Sequence, residues 1–109
     1  YCSNITGIGE SFFENLPAVY QKIDEVTASC DVLYLTICMD VFNASIAPGV
    51  SAAAYNGIFA DSAFMHYFKH ILKSEKLLAF DIAEVNPVFD LNERTARLAA
   101  SLANEWFLV

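Results

Sequence analysis

Apolar and polar positions follow two different patterns along this 109-residue chain. Apolar residues recur every three or four positions over residues 16–29, 61–74 and 93–107, which predicts three amphipathic helices. Two short and nearly continuous apolar runs, residues 32–39 and 77–83, predict strands that are buried on both faces of a sheet. The predicted order is therefore helix, strand, helix, strand, helix.

Polar residues and proline indicate where these helices begin. Asn15 is placed to cap the first helix, and Pro17 suits its first turn, where a missing N–H costs nothing. Asp61 or Ser62 is expected to cap the second helix.

The order of the elements also predicts how the two strands pair. A helical crossover between two strands makes them parallel and the connection right-handed. Asp40 follows the first strand and Glu84 the second, so both are expected at one edge of the sheet. Open α/β sheets place their ligands at the carboxyl ends of their strands, so this edge is the candidate site. The irregular stretch after Asp40 is expected to line it, with Asn43, Arg94 and Thr95 as residues that could orient loops.

Two motifs at this edge resemble a known family. Thr36-Ile37-Cys38-Met39-Asp40, followed by Pro48-Gly49 and Gly57, resembles the last metal-binding signature of the arginase/agmatinase (ureohydrolase) family. Residues 81–87, DIAEVNP, resemble the family's second strand-end motif. The sequence of the first motif is most like that of the formimidoylglutamase branch. The resemblance implies an α/β chain that forms the C-terminal part of a three-layer α/β/α, arginase-like fold with parallel strands. Residues 1–109 would then be a fragment of a single ureohydrolase domain.

The resemblance implies roles for three residues. Asp40 matches a carboxylate ligand in a binuclear manganese centre, and hard oxygen donors suit Mn²⁺. Cys38 stands where most members have a bridging Asp, and strand alternation predicts that it shares a side with Asp40. Glu84 matches the residue that binds the cationic end of the substrate. The ordinary alternatives are a turn-capping Asp40, a small buried Cys38 and an exposed Glu84, and Asp81 is expected to make a structural hydrogen bond.

The function implied by the resemblance is hydrolysis of a linear amidine, N-formimidoyl-L-glutamate, to L-glutamate and formamide in histidine degradation. Two manganese ions per active site would need ligands from two upstream family motifs, a Gly-rich segment with His and Asp-x-His-x-x-x-Asp. Neither motif occurs in this chain, so we expect the isolated chain to be inactive and assign it no catalytic residue.

Three alternatives remain open. The chain could belong to another ureohydrolase, such as an agmatinase or a guanidino-acid hydrolase. It could be a non-catalytic α/β interaction domain whose apolar surface docks a partner. Finally, Cys38 could be a nucleophile, which would need a base nearby.

Composition excludes some classes of partner. A net charge of −7 argues against nucleic acid, which requires a basic surface. No apolar run approaches the ~20 residues of a membrane span. Hydrophobic residues make up 56% of the chain, more than the usual ~45–50%, so other protein is expected to cover some surfaces, and a homo-oligomer is compatible with this.

Cysteine and histidine usage adds two further expectations. Cys2, Cys30 and Cys38 are odd in number and form no CxxC pair, which is typical of reduced thiols in a cytoplasmic protein. His66 and His70 are four residues apart, as in zinc helices, but no Glu follows His66 and no third ligand follows His70. A solvated helix face is the favoured interpretation of these histidines.

Overall fold

The computed structural model describes residues 15–109. Within this range the helices and strands occur in the predicted order, which confirms an α/β arrangement. They are α1 (Leu16–Ala28), β1 (Leu33–Cys38), α2 (Ser62–Leu72), β2 (Leu77–Ala83) and α3 (Arg94–Leu108). A short 3-10 turn follows each strand, Met39–Val41 after β1 and Pro87–Phe89 after β2.

The helix starts follow the local sequence. The Asn15 side chain accepts a hydrogen bond from the backbone N–H of Ala18 at 3.3 Å, and Pro17 lies in the first turn of α1. Asp61, rather than Ser62, caps α2, because its Oδ1 accepts from the N–H of Phe64 at 2.9 Å. Both predicted caps satisfy backbone donors that would otherwise have no partner in the helix.

The two strands pair in parallel, as predicted. The register places Cys38 opposite Ala83 at the carboxyl end, with one irregularity between Leu33 and Tyr34 at the other end. The residues that follow Cys38 and Ala83 therefore leave the sheet at the same edge.

Helices cover one face of this small sheet. Leu35 and Ile37 lie opposite Phe80 and Ile82 in the register, and all four pack against or belong to the hydrophobic core. The Phe80 ring lies 5.3 Å from the Trp106 ring of α3, measured between centroids. The buried hydrophobic residues are Val19, Ile37, Met39, Phe42, Ala47, Val50, Phe64, Tyr67, Phe68, Leu72, Leu77 and Leu102.

The other face of the sheet differs from the sequence prediction. Tyr34 is 61% exposed and Thr36 is exposed as well, so β1 is buried on one face among residues 15–109. In β2, Leu78 is 73% exposed at the irregular end of the register. Strand β1 is also one residue shorter at each end than the predicted 32–39. An apolar run indicates that a strand tends to be buried, but it does not specify which segment covers each face. No helix in the described range is long and apolar enough to cross a membrane.

The stretch between β1 and α2 is irregular but closely tied to the rest of the structure. Isolated parallel bridges join Phe42 to Ile58 and Asn43 to Ala54. The Phe42 side chain is fully buried, with its ring 5.1 Å from that of Phe64 in α2. Gly57 passes so close to this bridge that a Cβ atom would lie 2.5 Å from the carbonyl carbon of Phe42. The spacing to Gly57 in the motif therefore has a steric reason.

We predict that Gly57→Ala destabilises the protein. The added methyl group meets backbone rather than a mobile side-chain end, so the bridge must shift, at a cost of roughly 1–3 kcal/mol. Thermal unfolding should show a lower Tm for Gly57→Ala and an unchanged Tm for Ala53→Ser, a small change at an exposed position of the same stretch. An unchanged Tm for Gly57→Ala would contradict the close approach.

Candidate functional site

Asp40 lies in a turn that buried neighbours hold in place. Met39, just before it, and Phe42, two residues after it, are fully buried, whereas Asp40 itself is half-buried. The turn is closed by a hydrogen bond from the N–H of Phe42 to the Met39 carbonyl at 3.3 Å, and the N–H of Ile58 donates to the Val41 carbonyl at 3.0 Å. The backbone of Asp40 is therefore fixed from both sides.

Cys38 is the last residue of β1, so Asp40 is outside the strand. The prediction that strand alternation places Cys38 and Asp40 on one side does not apply, because the 3-10 turn begins at Met39. The two side chains are nevertheless close enough for their charges to interact, as the pKa of Cys38 shows.

The pKa of the Cys38 thiol is raised above its usual value. Partial desolvation is the largest cause, and the negative charges of Asp40, Glu84 and Asp81 follow in that order. The structure therefore brings Cys38 into one electrostatic environment with Asp40 and Glu84, the other two residues singled out by the motifs, as the parallel pairing predicts. A cysteine nucleophile usually needs a lowered pKa, so this environment opposes the alternative in which Cys38 attacks a substrate.

Glu84 follows the last residue of β2 in an unusual backbone conformation. Its φ is 70°, in the left-handed region that non-glycine residues rarely adopt. The side chain is exposed and makes no hydrogen bond to residues 15–109. Such a conformation persists where the surrounding structure enforces it, and it is frequent at functional sites.

Asp81 makes the structural hydrogen bond expected of it. The Tyr34 hydroxyl on β1 donates to Asp81 Oδ2 on β2, across the exposed face of the sheet. This hydrogen bond is the largest cause of a raised pKa for Tyr34, followed by desolvation and the charge of Asp81. Asp81 therefore links the two strands beneath the sheet edge that carries Asp40 and Glu84.

Both histidines of α2 form hydrogen bonds away from the edge that carries Asp40 and Glu84. His66 Nδ1 is 2.6 Å from the Ser62 carbonyl of its own helix, and His70 Nε2 is 2.7 Å from Asp24 Oδ1 of α1. Residues 15–109 contain no group of three or more His, Cys, Asp or Glu side chains that could hold a metal ion. Cys30 and Cys38 are free thiols, and Cys2 lies outside the described residues.

Each of the three polar residues that could orient loops is hydrogen-bonded to the backbone of the stretch after Asp40. Asn43 donates through Nδ2 to the Tyr55 carbonyl at 2.9 Å, and Arg94 donates to the Ser45 carbonyl at 2.9 Å. Thr95 is fully buried, and its hydroxyl accepts from the N–H of Gly49 at 2.7 Å. These contacts connect the start of α3 to the stretch that follows Asp40.

Sequence reasoning missed the residues that complete this connection. The Asn86 N–H donates to the Gly49 carbonyl at 2.6 Å, and Asp90 accepts from the N–H groups of Thr95 and Ala96. A Cβ atom on Gly49 would lie 2.6 Å from the Asp90 side chain, which explains why glycine follows Pro48 in the motif. We refer to Gly49, Asn86, Asp90 and Thr95 as the loop junction. For Asn86 the local signal is the Asn-Pro pair at 86–87, a common turn signal, whereas Asp90 carried none.

Comparison with known proteins agrees with this geometry. The model of the arginase family matches residues 10–109, so the chain belongs to the arginase family. A formimidoylglutamase from Vibrio cholerae is 55% identical over 93 residues, which cover 84% of this chain and 26% of that protein. A formimidoylglutamase from Clostridium tetani is 43% identical over 82 residues, which cover 75% of this chain and 24% of that protein. The chain thus spans about a quarter of the length of these curated relatives.

Solved structures show the same fold. The formimidoylglutamase from Bacillus subtilis superposes with a TM-score of 0.81 at 24% identity, covering 90% of this chain and 31% of that one. The arginase from Bacillus caldovelox superposes with a TM-score of 0.73 at 22% identity, covering 89% of this chain and 33% of that one. The predicted arginase-like fold is therefore confirmed.

We predict that Asp90 stabilises the fold above about pH 4 and loses this effect in acid. Burial raises the pKa of Asp90, but hydrogen bonds from the Thr95 and Ala96 N–H groups, the Thr95 hydroxyl and the Leu91 N–H outweigh it, so the pKa is lowered. A carboxyl group whose pKa is lower in the folded state adds stability that is complete above its unfolded pKa, near 4. That stability disappears as the pH falls through the lower, folded pKa.

Thermal unfolding of Asp90→Asn at several pH values tests this. The variant should melt below the wild type from pH 5 to 7, and the difference should shrink below about pH 4. Asp31→Asn, at an exposed position before β1, is the control and should show little difference at any pH. A difference for Asp90→Asn that does not depend on pH would contradict the assignment.

Proposed function

We propose that this chain is the C-terminal part of a manganese-dependent amidine hydrolase of the arginase family. The observation that carries the proposal is the meeting of Asp40 and Glu84 at one edge of a parallel sheet, in the two motifs that resemble the family's strand-end motifs. Formimidoylglutamase is the name of several curated relatives between 40% and 55% identical to the chain. We therefore favour N-formimidoyl-L-glutamate as the substrate, with L-glutamate and formamide as products.

The donor atoms at this edge fit manganese in part. Asp40 offers carboxylate oxygens, which suit a hard divalent cation, and Cys38 offers a softer sulfur. When bound, manganese supplies Lewis acidity that makes water nucleophilic at neutral pH. The described residues provide too few ligands for two ions, so the proposal requires further ligands from protein outside residues 15–109.

Glu84 would bind the substrate rather than the metal. The formimidoyl group of the substrate is cationic at neutral pH, and a carboxylate can accept charge-assisted hydrogen bonds from its N–H groups. Glu84 is exposed at the sheet edge and uses no described residue as a hydrogen-bond partner, so its oxygens are available. Its role would be to orient the amidine carbon toward the metal side of the site, where Asp40 lies.

Asp40→Ala in the full-length protein tests the metal assignment. Removing a carboxylate ligand leaves too little negative charge for the ions, so manganese content should fall. Activity should drop by more than the roughly 10- to 100-fold typical of losing a residue that only supports a ligand. Elemental analysis and formamide release measure the two effects. The control, Asp31→Ala, changes an exposed aspartate at the opposite end of β1 and should keep wild-type manganese content and activity. If Asp40→Ala keeps its manganese and its activity, Asp40 is only a turn residue.

Glu84→Gln tests the substrate role separately. The variant keeps the shape of the side chain and removes its charge, which weakens an interaction worth roughly 1.5–3 kcal/mol. We expect kcat/KM for N-formimidoyl-L-glutamate to fall at least about tenfold, with manganese content and Tm unchanged. Glu93→Gln is the control, because Glu93 is also an exposed glutamate with a left-handed φ, of 58°. Loss of manganese or unfolding in Glu84→Gln would instead assign the residue to the metal site or the fold.

A substrate panel distinguishes the formimidoylglutamase proposal from its closest alternative. Agmatine and guanidino acids carry guanidinium groups, which Glu84 could bind by the same charge-assisted hydrogen bonds. The contacts that select the remainder of the substrate would come from protein outside residues 15–109. A higher kcat/KM for agmatine or a guanidino acid than for N-formimidoyl-L-glutamate would replace the proposed substrate and leave the family unchanged.

A further inference from the structure

Asn86 attaches the segment after Glu84 to the segment after Asp40 by two hydrogen bonds. Its backbone N–H donates to the Gly49 carbonyl at 2.6 Å, and its side-chain Nδ2 donates to Ser51 Oγ at 3.0 Å. Its Oδ1 accepts from the N–H of Val88 at 3.1 Å, which caps the 3-10 turn Pro87–Phe89. Asn86 thus uses both side-chain polar atoms and its N–H, and two of the three bonds cross to the other segment.

Glu84 lies between two points at which the backbone is held. The residue before it, Ala83, is paired with Cys38 in the sheet, and the residue two places later is Asn86. Between these fixed points Glu84 has a φ of 70°. This left-handed conformation is unfavourable for a non-glycine residue and persists only where the surrounding structure enforces it. Its own side chain is exposed and has no hydrogen-bond partner among residues 15–109, so no side-chain contact in this range sets its direction.

The Asn86 backbone is itself restricted. Its φ of −119° and ψ of 102° are extended, and a following proline disfavours the helical alternative. The Gly49 carbonyl that it binds belongs to a residue whose N–H is held by the buried Thr95 hydroxyl. Asn86 is therefore anchored to the Gly49 backbone, whose own N–H is bound to a buried side chain in the loop junction.

We propose that Asn86, together with Ser51, is a positioning residue for Glu84. This inference rests on the proposed function, because it assumes that Glu84 binds the cationic end of the substrate. The bond between Asn86 and Ser51 sets the distance and direction from the metal side of the site, at Asp40, to the Glu84 carboxylate. Weakening it lets Glu84 relax from its left-handed conformation, and the substrate then binds less well.

The test is a double-mutant cycle in the full-length enzyme. Asn86→Ala and Ser51→Ala are each made in the wild type and in the E84Q variant, and formamide release from N-formimidoyl-L-glutamate is measured. In the wild-type background each should lower kcat/KM about threefold to tenfold, mainly by raising KM, with manganese content unchanged. In the E84Q background neither Asn86→Ala nor Ser51→Ala should lower kcat/KM further, because the interaction of Glu84 with the substrate is already lost.

A control variant, Asn56→Ala, and the second variant, Ser51→Ala, distinguish a positioning role of Asn86 from a purely structural one. Asn56→Ala alters an exposed asparagine in the segment before α2 and should leave kcat/KM unchanged. Asn86→Ala also removes the cap of the 3-10 turn, so if it fails to fold, Ser51→Ala decides, because that variant leaves the cap intact. Equal losses in the wild-type and E84Q backgrounds would show a merely structural role and overturn the inference while Glu84 keeps its function. If E84Q alone has no effect, the substrate role of Glu84 and this inference both fail.

Discussion

Parallel hydrogen bonding between β1 and β2 brings together residues that are far apart in the sequence. Because the strands run in the same direction, Cys38 lies opposite Ala83, and the segments that follow them leave the sheet side by side. An antiparallel pairing would place Asp40 and Glu84 at opposite ends of the sheet. The combined effect of Asp40 and Glu84 on the pKa of Cys38 depends on this one arrangement.

A second set of contacts converts this proximity into fixed geometry. The loop junction joins the segment after Asp40, the segment after Glu84 and the start of α3 through Gly49, whose N–H and carbonyl are both used. There is no space for a side chain at Gly49, and Thr95 is buried where it meets the Gly49 N–H. The Pro-Gly and Asn-Pro pairs in the two motifs are thus parts of one structural unit, which supports the ends of both strands.

The sequence was sufficient to predict what depends on local patterns. Helical periodicity predicted α1, α2 and α3, and the caps Asn15 and Asp61 follow from short-range rules. The two apolar runs and the crossover between them predicted the parallel pairing and hence the edge shared by Asp40 and Glu84. The metal and substrate roles of Cys38, Asp40 and Glu84 came from the family resemblance and stay predictions.

What the sequence did not reveal depends on contacts between distant residues. The bond from Gly49 to Thr95 spans 46 positions, and the bond from Asn86 to Ser51 spans 35, so neither leaves a local pattern. Strand alternation failed for Asp40, because a 3-10 turn replaces the strand one residue earlier than expected. The exposed face around Tyr34 was also missed, since an apolar run does not specify its cover.

The most direct test of the account is anomalous X-ray diffraction at the manganese absorption edge from crystals of the full-length protein. We expect a manganese peak within bonding distance of an Asp40 carboxylate oxygen, with Glu84 on the same side of the sheet edge and not bonded to the metal. A manganese site that leaves Asp40 without contact to the metal would contradict it.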